Sequence, residues 1–278
     1  MVRSRTASML TRHFDAADGG APGDGADGRS GVRRPDELIV EEPLAIHLDD
    51  TQVSSTMRTP GHDFELAAGF LHSEGMLAGV PITGIRYCGT GAPVDSDFNV
   101  VSVETAGRAP VPTPRLGSTT SSCGICGSDA IAELTERLHV LGPHDPWPAE
   151  RLLSLPDDLL SDQPLFSATG AVHGAAAFDR NGRLLVARED IGRHNAVDKV
   201  VGRLLLDGVL PATDLALVVS SRASFEMVQK AWAAGFTALV AVSAPSALAV
   251  ATARRAGMTL VGFARGGGGN LYSPEHLA

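Results

Sequence analysis

A chain of 278 residues with 44% hydrophobic side chains can bury one large core or two smaller ones, at roughly 150 residues per domain. Its formal net charge of -9 speaks against an extended nucleic-acid surface, and three cysteines, two of them in one Cys-x-x-Cys, fit a reducing cytoplasm better than a disulfide framework. A membrane span is excluded because no run of about 18 apolar residues occurs; the longest candidate, 237–253, is broken by Ser243, Pro245 and Ser246.

Residues 1–34 are rich in Gly, Ala, Asp and Arg, with few large apolar side chains and no continuous apolar stretch, and read as a disordered leader without a secretory signal. Residues 35–115 read as a small α+β unit. Stretches 38–40, 43–48 and 53–57 have strand character and are separated by turn signals. After the turn Thr59-Pro60-Gly61-His62-Asp63, the residues Phe64, Leu66, Ala67, Phe70 and Leu71 recur at helical spacing. Two further strands are expected at 82–87 and 98–103, and a proline-rich run, 109–114, leads into Ser121-Ser122-Cys123-Gly124-Ile125-Cys126-Gly127.

That cysteine stretch has the clearest chemistry in the chain. Ile131, Leu134, Leu138 and Leu141 follow it at three- and four-residue steps, so the spacing predicts an amphipathic helix capped by Ser128 or Asp129. Cys123 and Cys126 would then sit at a helix N-terminus, where unpaired N–H groups and the dipole favour thiolate over thiol. Gly124 and Gly127 allow the tight turn and leave the sulfurs accessible.

The region 116–278 reads as an α/β domain. A proline-rich connector, 142–148, precedes helices expected at 149–155 and 157–166, with Pro156 between them. Strands at 171–178 and 183–187 flank Asp179-Arg180-Asn181-Gly182, whose Asn-Gly pair is a hairpin signal. Helix 196–206, strand 215–220, helix 223–234, strand 237–243, helix 246–256 and strand 259–263 then alternate, and strands this rich in Val, Leu and Ala imply a buried parallel sheet. Ligands in such sheets bind beyond the C-terminal strand ends. Three stretches fall there: 220–224 with Ser221 and Arg222, 243–246, and 263–270 with Phe263, Ala264, Arg265, Gly266, Gly267 and Gly268. They suit a phosphate-bearing ligand; helix capping and loop freedom are the alternative. The polar block 189–199 adds Arg193, His194 and Asn195 as ligand contacts, with Asp198 or Glu189 fixing the imidazole, or else a cap and an ion pair.

Together SSCGICG, TGAVHGAAAF, EDIGRHNAVDKVVG, SSRASFEMVQKAWAAGF and AVSAPSALAVATARRAGMTLVGFARG resemble the FdhD family of formate dehydrogenase accessory sulfurtransferases, over nearly all of 41–273. The resemblance implies a cytidine-deaminase-like three-layer larger domain, a homodimer, and a cytoplasmic sulfur carrier. The carrier would take sulfur from a cysteine desulfurase and pass it to the molybdenum cofactor, bis-molybdopterin guanine dinucleotide, for formate dehydrogenase. It places the persulfide on Cys123 with Cys126 as partner, and the nucleotide-cofactor loop on 263–268. Other readings are a zinc site on Cys123 and Cys126 with Cys88 or His173, a thioredoxin-like reductase, and a cofactor-binding chaperone with redox-sensing cysteines. Against catalytic zinc, His173-Gly174-Ala175 lacks the glutamate of a deaminase His-x-Glu. Cys88 alone reads as a small buried side chain.

Overall fold

The computed structural model describes residues 4–13, 32–88, 98–110, 136 and 138–274. Strands β1 (Thr6–His13) and β2 (Val32–Ile39) form an antiparallel two-stranded ribbon, with Thr6 opposite Ile39 and His13 opposite Val32. The 1–34 leader, expected to be disordered, therefore contains a strand. Its composition hid this, because β1 is held by backbone pairing while Met9 and Leu10 stay exposed rather than forming a core.

The next elements are β3 (Glu42–Leu48), β4 (Thr51–Arg58), α1 (Asp63–Ser73), β5 (Gly84–Tyr87) and β6 (Val100–Glu104), and their strands make a four-stranded sheet in the order β4-β3-β6-β5. Leu44, Ile46 and Leu48 alternate along β3 and pack with Leu66, Ala67 and Leu71 of α1, the period-two and period-3.6 faces meeting in one core. Arg58 is fully buried at the end of β4. It donates to both Asp63 carboxylate oxygens at 3.0 and 2.9 Å and to Glu42 at 3.0 Å, so its charge is matched where it is desolvated.

The remaining elements are α2 (Ala149–Ser161), α3 (Pro164–Thr169), β7 (His173–Asp179), β8 (Leu184–Asp190), α4 (Arg193–Leu206), β9 (Leu215–Val219), α5 (Phe225–Ala233), β10 (Ala238–Ala241), α6 (Ala247–Ala256), β11 (Thr259–Arg265) and β12 (Gly268–Ser273). Six strands form one sheet, ordered β12-β11-β10-β9-β7-β8. Strands β9, β10 and β11 are parallel, whereas β7, β8 and β12 run antiparallel to their neighbours. Helices cover both faces, giving the larger part the expected three layers. Ala175, Leu217 and Leu239 point toward α4, α5 and α6; Ala176, Val218 and Val240 point toward α2. Burial on both faces is why these strands read as continuous apolar runs.

Two expected breaks resolve differently. Helix α2 continues through Pro156, because Leu152, Leu155 and Leu159 on one buried face hold both sides of the proline against the sheet. The glycine run turns the chain back into β12: Arg265 pairs with Gly268, and the intervening Gly266 and Gly267 have φ of 55° and 74°. Two successive positive-φ residues are what a two-residue primed hairpin turn requires.

The two sheets are joined by α1 crossing α4 at glycine. A Cβ on Gly69 would lie 1.8 Å from the Asp198 carbonyl oxygen, and one on Gly202 would lie 1.8 Å from that of Glu65, so the helix backbones touch directly. Beside this crossing Glu65 accepts from Arg188 Nε at 2.6 Å and Nη2 at 2.8 Å. Burial alone would raise the Glu65 pKa, but hydrogen bonds from Arg188 and His62 and their charges bring it down to about 2. A carboxylate depressed in this way stabilises the fold above its unfolded pKa and loses that contribution as pH falls toward the folded value. From an ordinary value near 4.5 to about 2 the contribution is about 3 kcal/mol. Glu65→Gln is therefore expected to lose most of that stability at pH 7 and to show a flatter acid limb between about pH 4.5 and 2 in urea titrations. A limb as steep as that of the parent chain would show that Glu65 does not couple to folding.

Candidate functional site

At the edge where β9, β10 and β11 end, the antiparallel β7 begins, so His173 arrives beside the C-terminal ends of three parallel strands. A cavity of about 410 Å³ opens there, between the strand ends and α2 and α3. Its walls include Leu159, Val172, Val242 and Ala264, and its polar groups are Asp157, Gln163, His173, Ser220 and Arg265. The volume lies in the range of small-molecule sites, and a mostly apolar lining with a few converging polar groups is their usual chemistry.

Local structure fixes the polar groups. Ser220 bridges β9 to β7: its backbone N–H donates to the Gly174 carbonyl at 2.9 Å, and its Oγ accepts the Gly174 N–H at 2.9 Å. Among the described residues, no acceptor takes the Ser220 hydroxyl proton. Burial, then the charge of Arg193, lowers the His173 pKa, so this imidazole is neutral at pH 7. Gln163 precedes α3 and is 3% exposed, with its Nε2 buried and lacking a hydrogen-bond partner among the described residues. A buried donor left unsatisfied costs about 1–3 kcal/mol, an outlay that points to a group completed by something else.

The predicted residues divide between this cavity and its surroundings. Ala264 and Arg265 line it. Gly266 and Gly267 form the β11–β12 turn, and Gly266, Gly267 and Gly268 have no atom pressing on the Cβ position, so φ explains the first two rather than a close ligand approach. Phe263 has a φ of 54°, uncommon for an aromatic residue, and an exposed ring, and it does not line the cavity. Ser221 is buried and donates to the Arg222 carbonyl at 3.1 Å, while Arg222 is exposed.

Arg193 and His194 open α4, at the end of the same strand edge. The His194 pKa falls to about 4, first through burial and then through Lys230 and Arg193, so the ring is neutral; its Nε2 is buried without a partner among the described residues, as are Arg193 Nε and Ser224 Oγ. The polar block does not fix this imidazole as the sequence suggested. Glu189 instead accepts from the Leu165 and Phe166 backbone N–H groups at 3.0 and 2.8 Å, capping α3 from β8. Asp198 binds Lys230 at 2.9 Å and Ser73 at 3.1 Å. Asn195 donates to the Met57 carbonyl at 2.7 Å and to Asp190 at 3.0 Å, so it joins the two sheets rather than capping α4. Asp190 and Lys199 form a fully buried pair at 2.7 Å.

Cys123 and Cys126 lie outside the described residues. Among the described residues, no group of three or more His, Cys, Asp or Glu side chains could hold a metal ion, and no helix is long and apolar enough to cross a membrane. Cys88 is half-buried, and Arg86 Nη1 donates to its Sγ at 3.0 Å, more polar surroundings than a small core residue has.

Comparison with known proteins gives one consistent answer. The model of the FdhD/NarQ family matches residues 39–277. The sulfur carrier protein FdhD of Streptomyces avermitilis is 50% identical over 252 residues, covering 87% of this chain and 89% of that protein. The protein of that name from Mycobacterium tuberculosis is 45% identical over 255 residues, covering 87% and 91%. A crystal structure from Desulfotalea psychrophila, assigned as a candidate formate dehydrogenase accessory protein, superposes with a TM-score of 0.74 at 28% identity, over 98% of this chain and 99% of that one.

Proposed function

The chain belongs to the FdhD/NarQ family, and from that membership we propose that it is a cytoplasmic sulfur carrier serving formate dehydrogenase, loaded by a cysteine desulfurase and delivering sulfur to bis-molybdopterin guanine dinucleotide. The observation that carries the reading is the near full-length similarity to sulfur carriers in a chain that itself holds Cys123-Gly124-Ile125-Cys126.

In the first step the Cys123 thiolate attacks the outer sulfur of the donor persulfide, forming Cys123–S–SH and releasing the donor's cysteine as thiolate. In the second, the Cys126 thiolate attacks the inner sulfur of Cys123; hydrosulfide leaves toward the cofactor and a Cys123–Cys126 disulfide remains. A dithiol reductant resets the pair, being oxidised to its own disulfide. The cofactor is cargo in this scheme. Its guanine nucleotide end suits the cavity at the strand ends: Arg265 supplies a guanidinium for phosphate, and the apolar walls accept a flat base. We take the homodimer implied by the family resemblance as the working assembly.

Incubation with a cysteine desulfurase and labelled cysteine, without reductant, followed by intact mass spectrometry, tests the carrier step. Wild type is expected to gain about 32 Da, Cys123→Ala to gain nothing, and Cys126→Ala to load and then retain its adduct when acceptor is added. If no variant loads while the chain still binds a guanine nucleotide, the protein is a cofactor-binding chaperone.

A further inference from the structure

A second recess, of about 610 Å³, lies between the loop that follows α1 and the ends of α4 and α5. Leu77, Val80 and Ile82 form one wall and Leu205, Leu206 and Leu210 the other. Its polar groups are turned to one another and to the backbone: Gln229 donates to the Ser73 carbonyl at 2.6 Å, Ser73 to Asp198 at 3.1 Å, and His72 to the Ala233 carbonyl at 3.1 Å. What this groove offers an occupant is mostly apolar, the surface into which the apolar stripe of a helix packs.

The path of the chain points to the occupant. Residues 111–135 lie outside the described residues, and both of their ends are anchored at this groove: Ala109 packs on the cluster that contains Leu77, and Leu138, two residues after Glu136, lines the groove itself. Ile131 and Leu134 precede Leu138 by seven and four residues, the spacing of one helix face, and Glu136 between them and Leu138 is helical and exposed. A second copy would have to compete with a segment tethered at both ends, whose effective concentration is on the order of millimolar. We propose that the groove seats the helix expected from Ser128, with Ile131 and Leu134 between its two walls, and that it thereby positions Cys123 and Cys126 just before the first turn. The purpose of this seat rests on the sulfur-carrier reading; the seat does not. A helix of about ten residues is marginal alone in water, so seating it is what keeps its N-terminal N–H groups and dipole beside the cysteines. Leu206 and Leu77 are positioning residues that act through the helix.

Disulfide trapping in the full chain tests the seat. With Cys88, Cys123 and Cys126 changed to serine, Leu134→Cys is combined with Leu206→Cys on one wall or Ala78→Cys on the other and treated with diamide. Intact mass is expected to fall by about 2 Da, one intramolecular disulfide, from at least one wall. Leu134→Cys with Leu248→Cys should form none, since Leu248 is as exposed as Leu206, at 44%, but does not line the groove. Disulfide-linked dimers in place of the intramolecular bond would give the groove to a second copy, and no bond from either wall would put the helix elsewhere; either result overturns the proposal. In the chain with its native cysteines, Leu206→Asp should move the pH midpoint of Cys123 alkylation by iodoacetamide up toward about 8.5, the value of a free thiol, while Leu248→Asp leaves it unchanged. A midpoint in folded Leu206→Asp equal to that of wild type overturns the positioning role. Sulfur loading is read separately: a chain that traps the helix but gains no sulfur keeps the seat and loses the carrier reading, whereas one that loads without trapping does the reverse.

Discussion

Lys230→Met is expected to destabilise the protein by about 3–5 kcal/mol at pH 8, because it leaves a buried carboxylate without its cation. Lys230 Nζ stands 2.9 Å from both Asp198 oxygens and 3.5 Å from Glu74, on side chains that are nearly inaccessible. Burial already raises the Asp198 pKa to about 6 against the pull of Lys230, and without that cation it rises further. A carboxyl whose folded pKa exceeds its unfolded value contributes stability below the unfolded pKa and loses it as pH rises through the folded one. The penalty of Lys230→Met should therefore shrink when urea unfolding is repeated near about pH 5, where Asp198 accepts a proton at little cost. The double variant Lys230→Met with Asp198→Leu, which removes both charges of the pair, should recover much of the loss at pH 8. Equal penalties at both pH values would mean that Asp198 is not the group left uncompensated.

Gly202→Ala is expected to cost about 3 kcal/mol, at the upper end of overpacking substitutions, although alanine is the better helix former. Helix propensity alone predicts a gain of about 1 kcal/mol, so even the sign of the effect tests the geometry. The added methyl would meet the Glu65 carbonyl oxygen at 1.8 Å, and that oxygen belongs to backbone that cannot rotate away, so α1 must lift from α4. The melting midpoint should fall by roughly 6–12 °C for a chain of this size. Gly69→Ala opens the same gap from the other side, with 1.8 Å to the Asp198 carbonyl oxygen. Once either substitution has separated the helices, the second has less left to disrupt, so the double variant should cost less than the sum of the singles. Additive losses, or a stabilised Gly202→Ala, would rule out the direct backbone contact.

Much of the fold is written locally. β9, β10 and β11 are apolar because both faces of each strand are covered, and that density marks them without knowledge of their neighbours. The Asn181-Gly182 turn between β7 and β8 follows from dihedral preference, with Gly182 at a φ of 81°. Pro156 shows the limit: local preference says break, but three leucines packed on the sheet hold α2 together. Strand β12 was equally hidden, since Gly268-Gly269-Asn270 has no strand propensity and forms one by pairing with β11. The site was legible in the same uneven way. That ligands meet the C-terminal strand ends is a rule of the sheet, and it led to Ala264 and Arg265; it could not lead to Gln163, in a polar stretch just after α2.

The sequence by itself determined the family, the cysteine pair, the alternation of helices with buried strands and the edge of the sheet where the cavity opens, because each rests on residue type and spacing over short distances. Only the tertiary structure decided which polar groups share that edge. Glu189 and Gln163 are 26 residues apart in the chain, yet the one caps the helix that positions the other. Asp198 and Lys230 are 32 apart and close to contact. Burial turns such pairs into strong constraints, since a charge or donor removed from water must find its partner wherever the fold brings one, and separation along the chain carries no record of that meeting.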